Sequence, residues 1–263
     1  IVSRFRTPWR AVAAMFILNG ALFGIWASRI PAVADRHDLR HAELGGLLLL
    51  MAAGAIVAFP LAGRVSDRLG AAKVTWTLAF GYVGSLFLIA FAPSYMTLAA
   101  ALFVFGVTHG AMDVAMNTWA GEVERHIKRP VMSSFHAMFS FGAGVGAGSG
   151  FLAASNDLDI ALHFISAGTL IAAITLFIAK IHWASDSQEN ASDNPLFALP
   201  KGQLLAVGFV AFCASLGEGG MADWSAIFLV LTTGANEANA ALGYTIFSVS
   251  MVGMRLMGDL VTL

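Results

Sequence analysis

Three polar residues recur at four-residue intervals in an otherwise apolar stretch: His109, Asp113 and Asn117. At about 100° per residue they fall within roughly an 80° arc of one helix face, with Gly106 between them in angle. Ionisable groups inside an apolar helix are expensive, so a carboxylate between an imidazole and an amide is a candidate for proton exchange. Asp113 lies about 14 Å along the helix from the charged end at Glu122. At that depth its ionisation depends on whether water reaches it, which is the property a proton carrier needs. The competing reading is an Asp held by His109 and Asn117 for packing alone. By spacing, His109 and Asp113 could also hold a metal, but two ligands without a cluster make a weak site. No cofactor is expected.

Further candidates lie on other stretches. Asn19 and Trp26 share a helix face with Phe16 and Phe23, an amide beside aromatic rings that suits either a hydroxylated ring or plain packing. Arg29, at the end of that helix, reads as an interface anchor. Ser133, His136 and Ser140 fall on one face of a later helix, where substrate contact and a structural hydrogen bond are both open. Gly217-Glu218-Gly219-Gly220, followed by Asp223-Trp224, reads as a break in a long apolar segment; Glu218 is a second proton or substrate candidate and Trp224 a substrate contact.

The elements that must position these residues are membrane helices. Apolar residues make up 58% of the chain and charged residues 12%, with a mean hydropathy of +0.75, far from a soluble domain of about 25% charged residues. Eight segments can be drawn: Trp9–Ile30, Leu44–Ala62, Val74–Ala92, Tyr95–Val123, Val131–Leu152, Ala161–Ile181, Gln203–Leu231 and Ala240–Met257. With the N-terminus inside, the inner side receives Arg4, Arg6, Arg10, Arg64, Arg68, Lys73, Arg125, Lys128, Arg129, Lys180, Lys201 and Arg255. The outer side receives only Arg29, Arg36 and Arg40, and this asymmetry orients the chain. The basic Arg4-Phe5-Arg6 lead precedes a first span with no small-residue cleavage site, so no signal peptide is expected. One cysteine, Cys213, excludes an intrachain disulfide.

Between the second and third segments stands Gly63-Arg64-Val65-Ser66-Asp67-Arg68-Leu69-Gly70-Ala71-Ala72-Lys73, which reads as a compact charged turn. It resembles the signature loop of the major facilitator superfamily, G-x-x-x-D-R-x-G-R-R/K: the glycines, Asp67 and Arg68 match, whereas Ala71 and Ala72 precede the late Lys73. Gly253-Met254-Arg255-Leu256-Met257-Gly258-Asp259 after the eighth segment echoes it. The resemblance implies an all-α helical bundle, with Gly63, Arg64, Asp67, Arg68, Gly70, Arg255 and Asp259 in gating. The polar stretch His182–Lys201, with Pro195 and Pro200, reads as a linker. The implied domains are a six-helix lobe at 1–181, a cytoplasmic linker at 182–201 and the first two helices of a second lobe at 202–263, a fragment of a twelve-helix protein.

The Asp113–Asn117 spacing, with Asn19-Gly20, Trp26-Ala27-Ser28-Arg29-Ile30-Pro31 and Met132-Ser133-Ser134-Phe135-His136, is similar to the fucose-permease-like sugar transporters. In that group an acid at the position of Asp113 couples proton to sugar; the first-helix carboxylate of its best known member is replaced here by Asn19. Gly142, Gly144, Gly146, Gly148 and Gly150 give small-x-x-x-small pairs for close helix contact, within a lobe or between lobes. They resemble the antiporter motif of the superfamily without its proline.

The resulting expectation is a non-enzymatic inner-membrane transporter moving a small polar solute, sugar-like, by proton-linked symport. Its partners would be the solute, protons and the bilayer, with no nucleic acid, and it would act as a monomer. Asp113, Glu218 and His109 would serve coupling; Asn19, Trp26, Asn117, His136, Ser140 and Trp224 would contact solute. An exporter, an uncoupled facilitator, or a sensor or assembly protein with the same fold are the alternatives. Neither G-x-x-x-x-G-K-S/T nor H-E-x-x-H occurs, which argues against the commonest pumps and membrane metalloproteases. If the charge asymmetry sets topology, cysteines placed at Ser187 and Ser155 label from opposite sides of the membrane; labelling from one side would overturn the helix count.

Overall fold

The computed structural model describes residues 7–186 and 201–261, with side chains to residue 258. Arg4, Arg6, most of the expected linker and the Asp259 side chain lie outside the described residues. Nine helices follow in order among the described residues: α1 (Pro8–Ser28), α2 (Ile30–Arg36), α3 (His41–Leu69), α4 (Ala71–Ala90), α5 (Tyr95–Ile127), α6 (Met132–Ser155), α7 (Ile160–Ala179), α8 (Gln203–Thr233) and α9 (Glu237–Val261). All but the short α2 are long and apolar enough to span a bilayer, so the chain is an all-α membrane protein with eight such helices among the described residues.

Local chemistry sets the helix ends. The Thr7 hydroxyl accepts from Arg10 N–H ahead of Pro8, and the Asp159 carboxylate accepts from Ala161 and Leu162 N–H at the start of α7. The N-terminus of α6 is capped from a neighbouring helix. Glu124 Oε2, on α5, accepts from Val131 and Met132 N–H at 2.8 and 2.9 Å.

Two sequence expectations about breaks fail for one reason. The Gly63–Lys73 stretch is not a loop: α3 runs through Gly63, Asp67 and Arg68 to Leu69, and Gly70 alone, at φ 87°, makes the turn. Likewise α8 is continuous through Gly217–Gly220, and Gly253–Met257 lies inside α9. A glycine costs a helix about 1 kcal/mol relative to Ala, but opening the backbone in hydrocarbon strands several polar groups, so the helix persists.

α1 is the most enclosed helix, with 89% of its apolar window buried, whereas that of α8 is 0% buried. Around α1 pack α6 and α7, while α3 and α4 pack on α5, and α9 lies along α6. The largest fully enclosed side chains include Trp26, Trp119, Tyr82, Phe16, Phe105 and Phe135. Leu49, Ile56, Phe80, Leu88 and Phe177 point outward, as suits a surface facing lipid tails.

The five glycines of α6 divide between two faces. A Cβ at Gly142, Gly146 or Gly150 would enter Ile17, Ala21 or Ser28 of α1, and a Cβ at Gly20 or Gly24 would enter the α6 backbone at Phe139 and Ala143. The other two, Gly144 and Gly148, face Thr245 and Ser248 of α9 at ordinary van der Waals distance. α3 meets α5 in the same manner, through Gly54, Gly106 and Gly110.

Gly146→Leu should therefore cost on the order of 1–3 kcal/mol or more by forcing α1 from α6. Gly84→Ala, in open space, should stay within about 0.5 kcal/mol. Thermal unfolding in detergent compares them, and equal midpoints would show that backbone contact is dispensable.

Candidate functional site

α1 buries two polar side chains, Ser28 at its end and, midway between two aromatic ones, Asn19. Asn19 is fully buried, and neither its amide nitrogen nor its oxygen has a hydrogen-bond partner. One turn toward the N-terminus, Phe16 meets His136 of α6 edge-on at 5.4 Å between centroids; one turn the other way, Phe23 stacks on His109 of α5 at 5.1 Å. Asn19 therefore sits on the face of α1 that addresses both histidines. A buried amide with four unused hydrogen-bonding sites costs a few kcal/mol, a cost the interior of a purely structural bundle has no reason to carry.

On α5, the amide of Asn117 donates to Asp113 Oδ1 at 3.2 Å and to the Asp113 carbonyl at 2.9 Å. His109 makes no bond to Asp113: its ring is packed between Phe23 and Tyr82, and Nδ1 is buried without a partner. The expected set is thus split, Asn117 holding the acid and His109 joining the aromatic wall. Tyr82 is fully buried with its hydroxyl unpartnered, and lies within electrostatic reach of Asp113 and Tyr244.

The third component is an ion pair. Arg255 of α9 donates from one terminal nitrogen to both carboxylate oxygens of Glu218 on α8, at 2.6 Å each. Its other terminal nitrogen donates to Ser140 Oγ at 2.6 Å and to the His136 carbonyl at 3.2 Å, both on α6. Ser133 Oγ in turn donates to the Arg255 carbonyl. One guanidinium thereby joins three helices. Nearby, Ala222 of α8 and Tyr244 of α9 pack with Ala27 of α1 and with Ala143 and Ala147 of α6, and Asp223 Oδ1 is buried without a partner.

Other expected residues fall elsewhere. Trp26 is a core residue, fully buried and tilted against Phe105, because α1 has neighbours on every side. Trp224 is 38% exposed and reaches toward Gly45 at the start of α3, away from Asn117 and His136. Arg29 is not an interface anchor; at 4% exposure it forms an ion pair with Glu237 at 2.7 Å and donates to the Leu158 carbonyl. Asp67 and Arg68 are exposed on the last turns of α3, and Arg255 belongs to the Glu218 ion pair within the helices, not to a second signature loop. Tyr82 and Tyr244 were passed over in the sequence, although two of the chain's three tyrosines lie in mid-helix, and Asp223, five residues after Glu218, was named there without a role.

The structure is thus a bundle of membrane helices around an incompletely paired polar interior. The sequence profile of the Major Facilitator Superfamily matches residues 8–262, and the chain belongs to that family. It is 46% identical over 256 residues to the uncharacterized transporter y4wD of Sinorhizobium fredii, covering 97% of this chain and 68% of that protein. It is 35% identical to an uncharacterized MFS-type transporter of Yersinia pestis, covering 93% and 63%, and 32% identical to the membrane protein MosC of Rhizobium meliloti, covering 95% and 60%. The chain thus spans 60% to 68% of the length of these relatives. The solved structure of the nucleoside transporter NupG has the same fold, with a TM-score of 0.67, 15% identity and coverage of 96% of this chain and 66% of that one.

Arg255→Gln removes the counter-charge of Glu218 and the bond to Ser140 together. Both groups are partly exposed, so a double-mutant thermal cycle with Glu218→Gln should give a coupling of only about 1 kcal/mol. Additive single losses would mean that the pair holds nothing together.

Proposed function

We propose that the chain is part of a transporter that carries a small polar solute, sugar-like in its density of hydroxyl groups, by alternating access coupled to protons. The observation that carries this reading is Asn19, a fully buried amide without partners, set between Phe16 and Phe23 and facing the helix of Asp113. Aromatic faces pack on the C–H faces of a ring, and an amide donates to and accepts from hydroxyls. The unpartnered Tyr82 hydroxyl, His109 Nδ1 and Asp223 Oδ1 offer further hydrogen bonds in the same interior.

Asp113 is the proton carrier in this reading. Its partner Asn117 is neutral, so its protonation is set by water access, which is what changes when the interior opens to one side or the other. Glu218 has a different role: bound to Arg255, it helps join α8 and α9 to α6. Residues 1–181 and 202–263 belong to two lobes that rock about the solute, with 182–201 as the linker and the Asp67 turn as a latch between states. The family resemblance to sugar permeases supports the solute class. Arg125, Lys128 and Lys180 share one end of the bundle while Arg36 and Arg40 lie at the other, which supports an inner-membrane protein with its N-terminus in the cytoplasm.

The full-length protein in proteoliposomes tests this. With an imposed proton gradient, Asp113→Asn should lose uphill accumulation of the solute, a fall of at least about tenfold, while keeping solute binding and exchange. Accumulation at the wild-type level would make Asp113 structural and move the proton role to Asp223.

A further inference from the structure

At the end of the bundle that carries Gly70 and Lys180, the chain does not leave the helices after α7. Ile181–Asp186 crosses the ends of α4 and α5 as a strap. Trp183 Nε1–H donates to Glu122 Oε2 at 2.7 Å, Ser185 Oγ accepts from Ala72 N–H at 3.1 Å, and Asp186 pairs with Arg125 at 3.0 Å. Beside the strap is a cavity of about 450 Å³ whose walls include Lys73, Trp76, Trp119, Lys180, His182 and Trp183.

The lining of this cavity is one-sided in its chemistry. Two ammonium groups and an imidazole border it, and no carboxylate does. Glu122, the acid nearest to Trp119 in sequence, lines the neighbouring cavity across His182 and Trp183 and is held by Trp183. Lys73 and Lys180 are exposed, and no ion pair among the described residues includes either. Two of the indoles carry buried Nε1–H donors with no acceptor: Trp76, and Trp119, which is 1% exposed. Those N–H groups are enclosed, so the face offered to the cavity is cationic and aromatic. Unopposed cations and indole walls where helices end suit a phosphate that carries an apolar body, because lysines extend to an interface and tryptophans settle there.

We propose that this cavity binds the phosphate of an anionic phospholipid from the leaflet that meets this end of the bundle. Lys73 and Lys180 supply the charge and its hydrogen bonds, Trp76 and Trp119 the apolar wall on the helices, and Trp183 the wall contributed by the strap. A headgroup seated there touches α4, α5 and the strap together, and so favours the arrangement in which the strap is docked. The site is separate from the interior around Asn19, and its test does not involve the transported solute.

Delipidated full-length protein in mild detergent is titrated with phosphatidylglycerol, phosphatidylcholine or inorganic phosphate, and bound adducts are counted by native mass spectrometry. Phosphatidylglycerol should bind in preference to phosphatidylcholine, and Lys73→Gln with Lys180→Gln should weaken it by roughly thirty-fold, the loss of two surface cations. Lys73→Arg with Lys180→Arg should restore binding, which separates loss of charge from loss of fold. Arg40→Gln, at the opposite end, should leave it unchanged. Equal binding of the two lipids, or undiminished binding by the glutamine pair, overturns the proposal. Inorganic phosphate binding as tightly as the lipid overturns the lipid source in favour of a soluble anion.

Discussion

The structure depends on the approach of α1 and α6 to backbone contact. Gly20 and Gly24 of one helix interlock with Gly142, Gly146 and Gly150 of the other, and a methyl group at any of these would strike a neighbour's atoms. Helices in lipid gain little from burying apolar side chains, so such close van der Waals contact is what holds them together. Its consequence reaches the interior. With α1 fixed against α6, Phe16 meets His136 and Phe23 meets His109, with Asn19 between them on α1.

The polar groups of the interior have unequal claims to partners. Arg255 is engaged by Glu218, Ser140 and the His136 carbonyl, and one carboxylate oxygen of Asp113 by Asn117. Asn19, Tyr82, His109 and Asp223 hold buried polar atoms without such partners. The Arg255 group ties three helices together, whereas the Asp113–Asn117 bond stays within α5. Gly144 and Gly148 turn the opposite face of α6 toward Thr245 and Ser248 of α9 at looser distance, so α6 is the helix through which the α1 contact and the α9 contact are mechanically related.

Much of this was legible in the sequence, for identifiable reasons. Segments such as Tyr95–Val123 and Ala161–Ile181 stand out because spanning a bilayer demands long apolar runs, and their ends moved by only a few residues in the structure. The four-residue interval of Asp113 and Asn117 placed both on one face, and their hydrogen bonds follow from it. The breaks at Gly63 and at Gly217–Gly220 were misread because turn preference is a property of chains in water, where an opened backbone finds partners. That Trp26 packs on Phe105 and Trp224 reaches Gly45 was not legible, because periodicity names the face of a helix without naming what lies opposite. The Arg255–Glu218 pair was out of reach for the same reason, since its members are 37 residues apart and meet only once α8 lies beside α9.

Of the acceptors that hold Arg255, one is the main-chain carbonyl of residue 136. A backbone oxygen is supplied by every amino acid, so the anchorage survives whatever side chain stands there. The imidazole that meets Phe16 can then be exchanged for another group while the guanidinium keeps this tether. Position 136 is thus one at which the side chain can change without loosening the tether that its backbone supplies.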